Sequence, residues 1–282
     1  MRYALLATPR FGALVLEELV AQGIPPLAVV CNPDRPAGRT KALTAPPAKI
    51  AALSLGIPVL QPERLEDAHE DLRHLDADLF LVAAFGRILR PELLAIPRHG
   101  TIGVHPSLLP RHRGPSPIQQ AILDGDPETG VSLFVVDELV DHGPVVASAR
   151  LGIEPGETYL SLEQRLARLG GSLAAATLPG WVSGEVAARD QDHGIATFTS
   201  KFGSDDAFVA AENLVAAASD PLKARQVARV VAALNPEPGA WTALNGKRVK
   251  LLEARATTSG LVVSAYQVAG KRVVRERLPL GA

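Results

Sequence analysis

The sequence holds a single cysteine, Cys31, in 282 residues. That excludes an internal disulfide and any cysteine-rich zinc site, and it suits a reducing compartment. Charge of one sign is lacking as well. With 29 Lys and Arg against 30 Asp and Glu the formal net charge is -1, so no global basic field draws in a polyanion. There is no long apolar run at the start: Met1–Ala7 is followed at once by Thr8-Pro9-Arg10, too short for a secretory signal and far short of a membrane span. The expectation is a cytoplasmic protein. Repeats and low-complexity segments are missing. So are the phosphate-binding signatures G-x-G-x-x-G and G-x-x-x-x-G-K-[ST], and nothing implies a metal.

What is present is an ordinary globular composition, 47% hydrophobic and 21% charged. The length suggests a main domain of about 150 to 200 residues with an appendage. Charge is uneven along the chain. From Lys201 onward twelve Lys and Arg face seven Asp and Glu, which leaves seventeen against twenty-three before it. That asymmetry permits a nucleic-acid-facing tail, and a solvated surface explains it equally well.

Apolar spacing predicts a strand over 2–7, a helix over Phe11–Gln22, a strand over Leu27–Cys31, a helix over Ala48–Leu55, and strands over 79–84 and 101–104. This alternation implies an α/β fold, a Rossmann-like, mostly parallel twisted sheet covered on both faces. Gly130–Val136 and Pro144–Ile153 read as an antiparallel extension, and Glu157–Leu178 as a helix before a turn-rich stretch over 180–192. A boundary near Ser200 divides a domain of residues 1–200 from a small β-rich, OB-like domain of residues 201–282. The latter has a linker over 202–206, a helix over 222–234 and short strands over 248–254, 261–266 and 271–277.

His105 follows the strand at 101–104, at a carboxyl end, where open α/β sheets place reactive groups. The prolines and glycine of the next twelve residues specify a stiff loop. A second loop, Asp137–Pro144, carries Asp141. If the two loops meet, a carboxylate can hold the imidazole in one orientation and make an acid-base pair with it. Asp141 capping its own turn is the alternative.

The ordered set His105-x-Ser107-Leu108-Leu109-Pro110-x-x-Arg113-Gly114-x-x-Pro117, then Gly125-Asp126-x-x-Thr129-Gly130-Val131, then Asp141-x-Gly143, resembles the folate-dependent formyltransferases. Asn32–Arg39, Phe85-Gly86-x-Ile88-Leu89 and Asn235-Pro236-x-Pro238-Gly239-Ala240-Trp241-Thr242 are similar to the methionyl-tRNA formyltransferases among them, and the resemblance covers nearly the whole chain. It implies the formyltransferase fold, 10-formyltetrahydrofolate as co-substrate and the amine of a tRNA-borne amino acid as acceptor. By the same resemblance His105 serves the tetrahedral oxyanion or moves a proton, assisted by Asp141. Phe85, Ile88, Leu89, Ser107, Leu108, Leu109, Pro110, Val136 and Val140 are implied as the folate-binding set, in a monomer that needs no membrane.

Arg35, Arg39 and Lys41 carry the charge that tRNA phosphates need, though an exposed turn is the plainer reading. The family pattern has Asn two residues before the histidine, where this chain has Gly103. Either another group or a water fills that place, or the chemistry is altered. The candidate substitutes are His112 and His142, which read otherwise as solvated loop residues. The alternatives to a tRNA acceptor are a small amine, such as an amino sugar or amino acid, and a binding paralogue without catalysis.

Overall fold

A computed structural model of the chain describes residues 1–37 and 41–279. Its first half runs β1 (Tyr3–Ala7), α1 (Arg10–Ala21), β2 (Ala28–Val30), the hairpin β3 (Arg35–Ala37) and β4 (Ala42–Thr44), α2 (Pro47–Ser54), β5 (Val59–Leu60), α3 (His69–His74), β6 (Leu79–Ala83), α4 (Pro91–Leu94) and β7 (Thr101–His105). The second half runs α5 (Pro117–Asp124), β8 (Glu128–Val135), β9 (Val145–Gly152), α6 (Tyr159–Ser183), α7 (Ala211–Ala217), α8 (Pro221–Leu234), β10 (Trp241–Leu244), β11 (Lys247–Thr257) and β12 (Gly260–Val268).

Seven strands form one sheet in the order β5-β2-β1-β6-β7-β8-β9. The first five are parallel, and β8 lies antiparallel to β7. Every residue of β1 and β7 is buried, as in strands covered on both faces; β1 is an apolar run, while β7 also buries Thr101 and His105. Between the sheet and its helices Leu6, Val30, Leu72, Phe80 and Phe85 belong to one buried cluster. A short loop over residues 136–144 turns β9 back along β8, where Val135 N–H bonds the Pro144 carbonyl and Ile153 N–H bonds the Pro127 carbonyl.

The chain packs into two compact units. One comprises residues 1–114, 129–151 and 163–198; the other comprises residues 115–128, 152–162 and 199–282. The second therefore recruits two segments from before residue 199, 115–128 and 152–162, which apolar periodicity did not predict. Within it β10, β11 and β12 form a three-stranded antiparallel sheet. Leu214, Val227, Val231, Leu251 and Leu261 build its core. The expected strand over 271–277 is reduced to an isolated Tyr266–Val274 bridge. Lys271, Arg272, Arg275 and Arg277 make that stretch a poor edge to extend. The long helix runs on through Pro179 to Ser183, past its expected end, with Leu178 fully buried and Trp181 Nε1 donating to the His99 carbonyl at 2.9 Å. No helix among the described residues is long and apolar enough to cross a membrane.

Candidate active site

His105 ends β7 and is 6% exposed. Its Nε2 lies 2.9 Å from the His112 carbonyl oxygen. A carbonyl only accepts, so Nε2 carries the hydrogen and Nδ1 is the nitrogen left to exchange a proton. Nδ1 stands 3.5 Å from Asp141 Oδ2, and that same oxygen accepts the Gly114 N–H at 2.7 Å. The separation is long for a hydrogen bond, yet short enough for the carboxylate to stabilise an imidazolium in a site with little water.

The carboxylate reaches the imidazole by an indirect route. Ile102 pairs with Val135 and His105 with Ser132, so the loop after β8 leaves beside the far end of β7 and doubles back toward His105. Gly143 permits this. A Cβ there would stand 1.9 Å from the Val135 carbonyl oxygen, so no other residue lets the loop lie so close to the strand. Asp141 itself has φ +47°, a conformation that Asp tolerates better than most residues. Its carboxylate does not cap its own turn. Asp137 does that, through Leu139 N–H at 2.9 Å, and its other oxygen meets His142 Nδ1 at 2.7 Å.

Gly103 pairs with Phe134 across the sheet. A Cβ at Gly103 would fall 2.3 and 2.6 Å from carbons of the Phe134 ring, so that ring fills the space beside the glycine. The same ring stands edge-on to His105, centroids 6.3 Å apart and planes at 90°. The two other histidines also depart from the reading as solvated loop residues. His112 is 4% exposed, with its N–H bonded to Thr197 Oγ1 at 2.8 Å, and it meets His105 through its backbone. His142 stacks on His193 at 4.2 Å.

Residues 1–178 match the family model described as formyl transferase, and residues 222–274 match the formyl transferase C-terminal domain. The chain belongs to the formyl transferase family. A methionyl-tRNA formyltransferase of Halorhodospira halophila is 43% identical over 258 residues, 90% of this chain and 80% of that protein. One of Chloroflexus aggregans is 38% identical over 273 residues, 96% of this chain and 85% of that protein. Among solved structures, a sugar N-formyltransferase from a Shewanella species superposes with a TM-score of 0.62 at 18% identity, covering 91% of this chain and 98% of that one. HypX from Aquifex aeolicus, in complex with tetrahydrofolic acid, gives 0.67 at 18% identity over 99% of this chain and 46% of that one. Those two likenesses bear on the fold.

The remaining sequence-nominated residues of this formyl transferase are spread over several environments. Phe85 and Leu89 are buried in the sheet core, and the Phe85 carbonyl accepts from Thr8 Oγ1 at 3.0 Å and Asn32 Nδ2 at 3.3 Å. Ile88 and Val140 are largely exposed, and Val136 is half-buried. Ser132 of β8 stitches the Ser107–Pro110 loop, donating to the Ser107 carbonyl at 2.8 Å and accepting from Leu109 N–H at 3.0 Å. Ser107 Oγ closes the loop on the Arg111 carbonyl at 2.6 Å.

In the hairpin, Arg35 pairs with Glu63 at 2.9 Å and Lys41 has φ +51°, while Arg39 lies outside the described residues. At its base Asp34 binds Lys49 Nζ at 2.8 Å and Gln61 Nε2 at 2.8 Å, and these bonds hold its carboxyl below the usual carboxylate range. A cavity of about 1030 Å³ in the second unit, lined among others by Ile122, Ile153, Arg225, Arg229 and Leu252, includes none of the nominated residues.

Sequence reasoning missed the buried pair behind the Asp141 loop, Arg113 and Gln191, 3% and 7% exposed. Arg113 stood in the quoted motif without a role. Gln191 stood in the turn-rich stretch with no motif to mark it.

Proposed function

We propose that this chain transfers a formyl group from 10-formyltetrahydrofolate to the α-amine of methionyl-tRNA, as a monomer in the cytoplasm. The approach of His105 and Asp141 to 3.5 Å in a buried site carries the reading. Near 40% identity to proteins named for that reaction supports the choice of acceptor. In the reaction the amine nitrogen bonds to the formyl carbon, an oxyanion forms, and the bond from that carbon to N10 of the folate breaks. The amine gives up one proton and N10 gains one. His105 takes and returns that proton at Nδ1, and Asp141 stabilises the imidazolium in between.

On this reading residues 1–200 form the catalytic domain and residues 201–282 the small one. Phe85, Ile88 and Leu89, the Ser107–Pro110 loop, Val136 and Val140 shape the pterin site, and Arg35, Arg39 and Lys41 face the tRNA. A second reading, a transferase slowed at the chemical step, is favoured by the Phe134 ring packed over Gly103 where the family pattern supplies an amide. The test incubates purified protein with 10-formyltetrahydrofolate and either charged initiator tRNA or a panel of amino sugars and amino acids. Formyl-methionyl-tRNA should form. Formylation of small amines alone would replace the acceptor, and none with any acceptor would leave a binding protein.

A further inference from the structure

Asp141 has a demanding task. Its residue sits at positive φ, on a loop doubled back over its own strand, with its carboxylate aimed at His105. Something must hold the backbone there. The side chain of Gln191 meets it from the opposite wall: Nε2 donates to the Asp141 carbonyl at 3.0 Å and to the Gly143 carbonyl at 2.7 Å. Its Oε1 accepts from Arg113 Nε at 3.1 Å and Nη2 at 2.7 Å. Three of these contacts are buried and the one to the Asp141 carbonyl is part-buried, and a buried amide with both ends satisfied fixes its neighbours more firmly than a solvated one.

Arg113 immediately precedes Gly114, whose N–H binds Asp141 Oδ2. One carboxamide thus ties together the backbone behind Asp141 and the residue preceding its N–H donor. The far side of Arg113 is braced as well. Its Nη2 donates to His193 Nδ1 at 2.8 Å, and its N–H bonds the Thr197 carbonyl at 2.9 Å.

We propose that Gln191 is a positioning residue for the His105–Asp141 pair: it clamps residues 141–143 against the Arg113–Gly114 segment and so keeps the carboxylate at the imidazole. The inference rests on the reading of that pair as catalytic. A glutamine is required because the site needs two donors on one end and one acceptor on the other, a combination that neither a carboxylate nor an apolar side chain offers.

Gln191→Glu separates the clamp from simple bracing. The carboxylate still accepts from Arg113, so the buried cation keeps a partner, but the nitrogen that carries both N–H donors becomes one oxygen facing two carbonyls. We expect kcat for formyl transfer to fall tenfold or more, with KM for 10-formyltetrahydrofolate and for the acceptor changed less than threefold and secondary structure unaltered. A kcat within twofold of wild type would overturn the proposal. So would an equal loss through KM. A second measurement does not depend on activity: exchange of the Gly114 amide hydrogen, followed by NMR, should quicken at least tenfold in Gln191→Glu, as in Asp141→Ala. Unchanged protection would reject the clamp even if the wild-type chain formylates nothing, a result that would instead remove the reading of the pair as catalytic.

Discussion

Gly103 and Phe134 act as one packing unit, because the ring of one stands where a side chain of the other would go. Gly103→Asn alone should therefore overpack the sheet, costing about 1 to 3 kcal/mol, without restoring an amide to the site. Phe134→Ala alone should cost about 3 to 5 kcal/mol through the cavity it leaves. In urea unfolding the double variant should be less destabilised than the two single losses combined, by on the order of 1 kcal/mol. Simple additivity would show that the two positions do not share space.

Cys31 makes a second case at this scale. It is 1% exposed, and burial pushes its thiol up to about 11. At pH 8 the folded protein should react with a thiol reagent only as fast as it opens, while urea-unfolded protein reacts at once. Prompt labelling of the native state would contradict that burial. In the sequence Cys31 was legible as a lone cysteine; its inertness follows from packing.

Among the elements, strands of the sheet were legible where the apolar runs are unbroken, as in β1 and β6. The elements missed are short or polar. β5 has two residues, and the hairpin of β3 and β4 shows none of the alternation of a half-buried strand.

The base of that hairpin depends on charge. Lys49 and Gln61 lower the Asp34 carboxyl, so its contribution is present above the ordinary carboxylate value, near about 4, and fades as pH falls through the lowered one. Lys49→Met should consequently shift the urea midpoint more at pH 6 than at pH 3. An equal shift at both would assign Lys49 a packing role only.

The site shows the same division between what a motif announces and what folding assembles. His105 and Asp141 were readable from ordered motifs, and so was the strand end that bears the histidine. The doubling back of the Asp141 loop was not, because it follows from the antiparallel register of β7 and β8. Gln191 was invisible for a related reason: its partners come from Arg113 and from two carbonyls, and backbone carbonyls leave no trace in a sequence.

At the scale of the molecule, the division into two units follows only in part from position along the chain, since residues 115–128 and 152–162 join the later one. The basic excess from Lys201 onward bears on the acceptor. If tRNA is that acceptor, its KM should rise steeply between low and moderate salt as counterions compete for the phosphates, while KM for the folate stays nearly constant. A flat salt response would favour a small amine.

The proposed chemistry comes down to one buried imidazole and its carboxylate. Formyl transfer to charged initiator tRNA by His105→Ala, measured as kcat/KM beside the wild-type chain, should fall about 100-fold or more. A variant that keeps within threefold of wild type would mean that His105 is not the group that moves the proton.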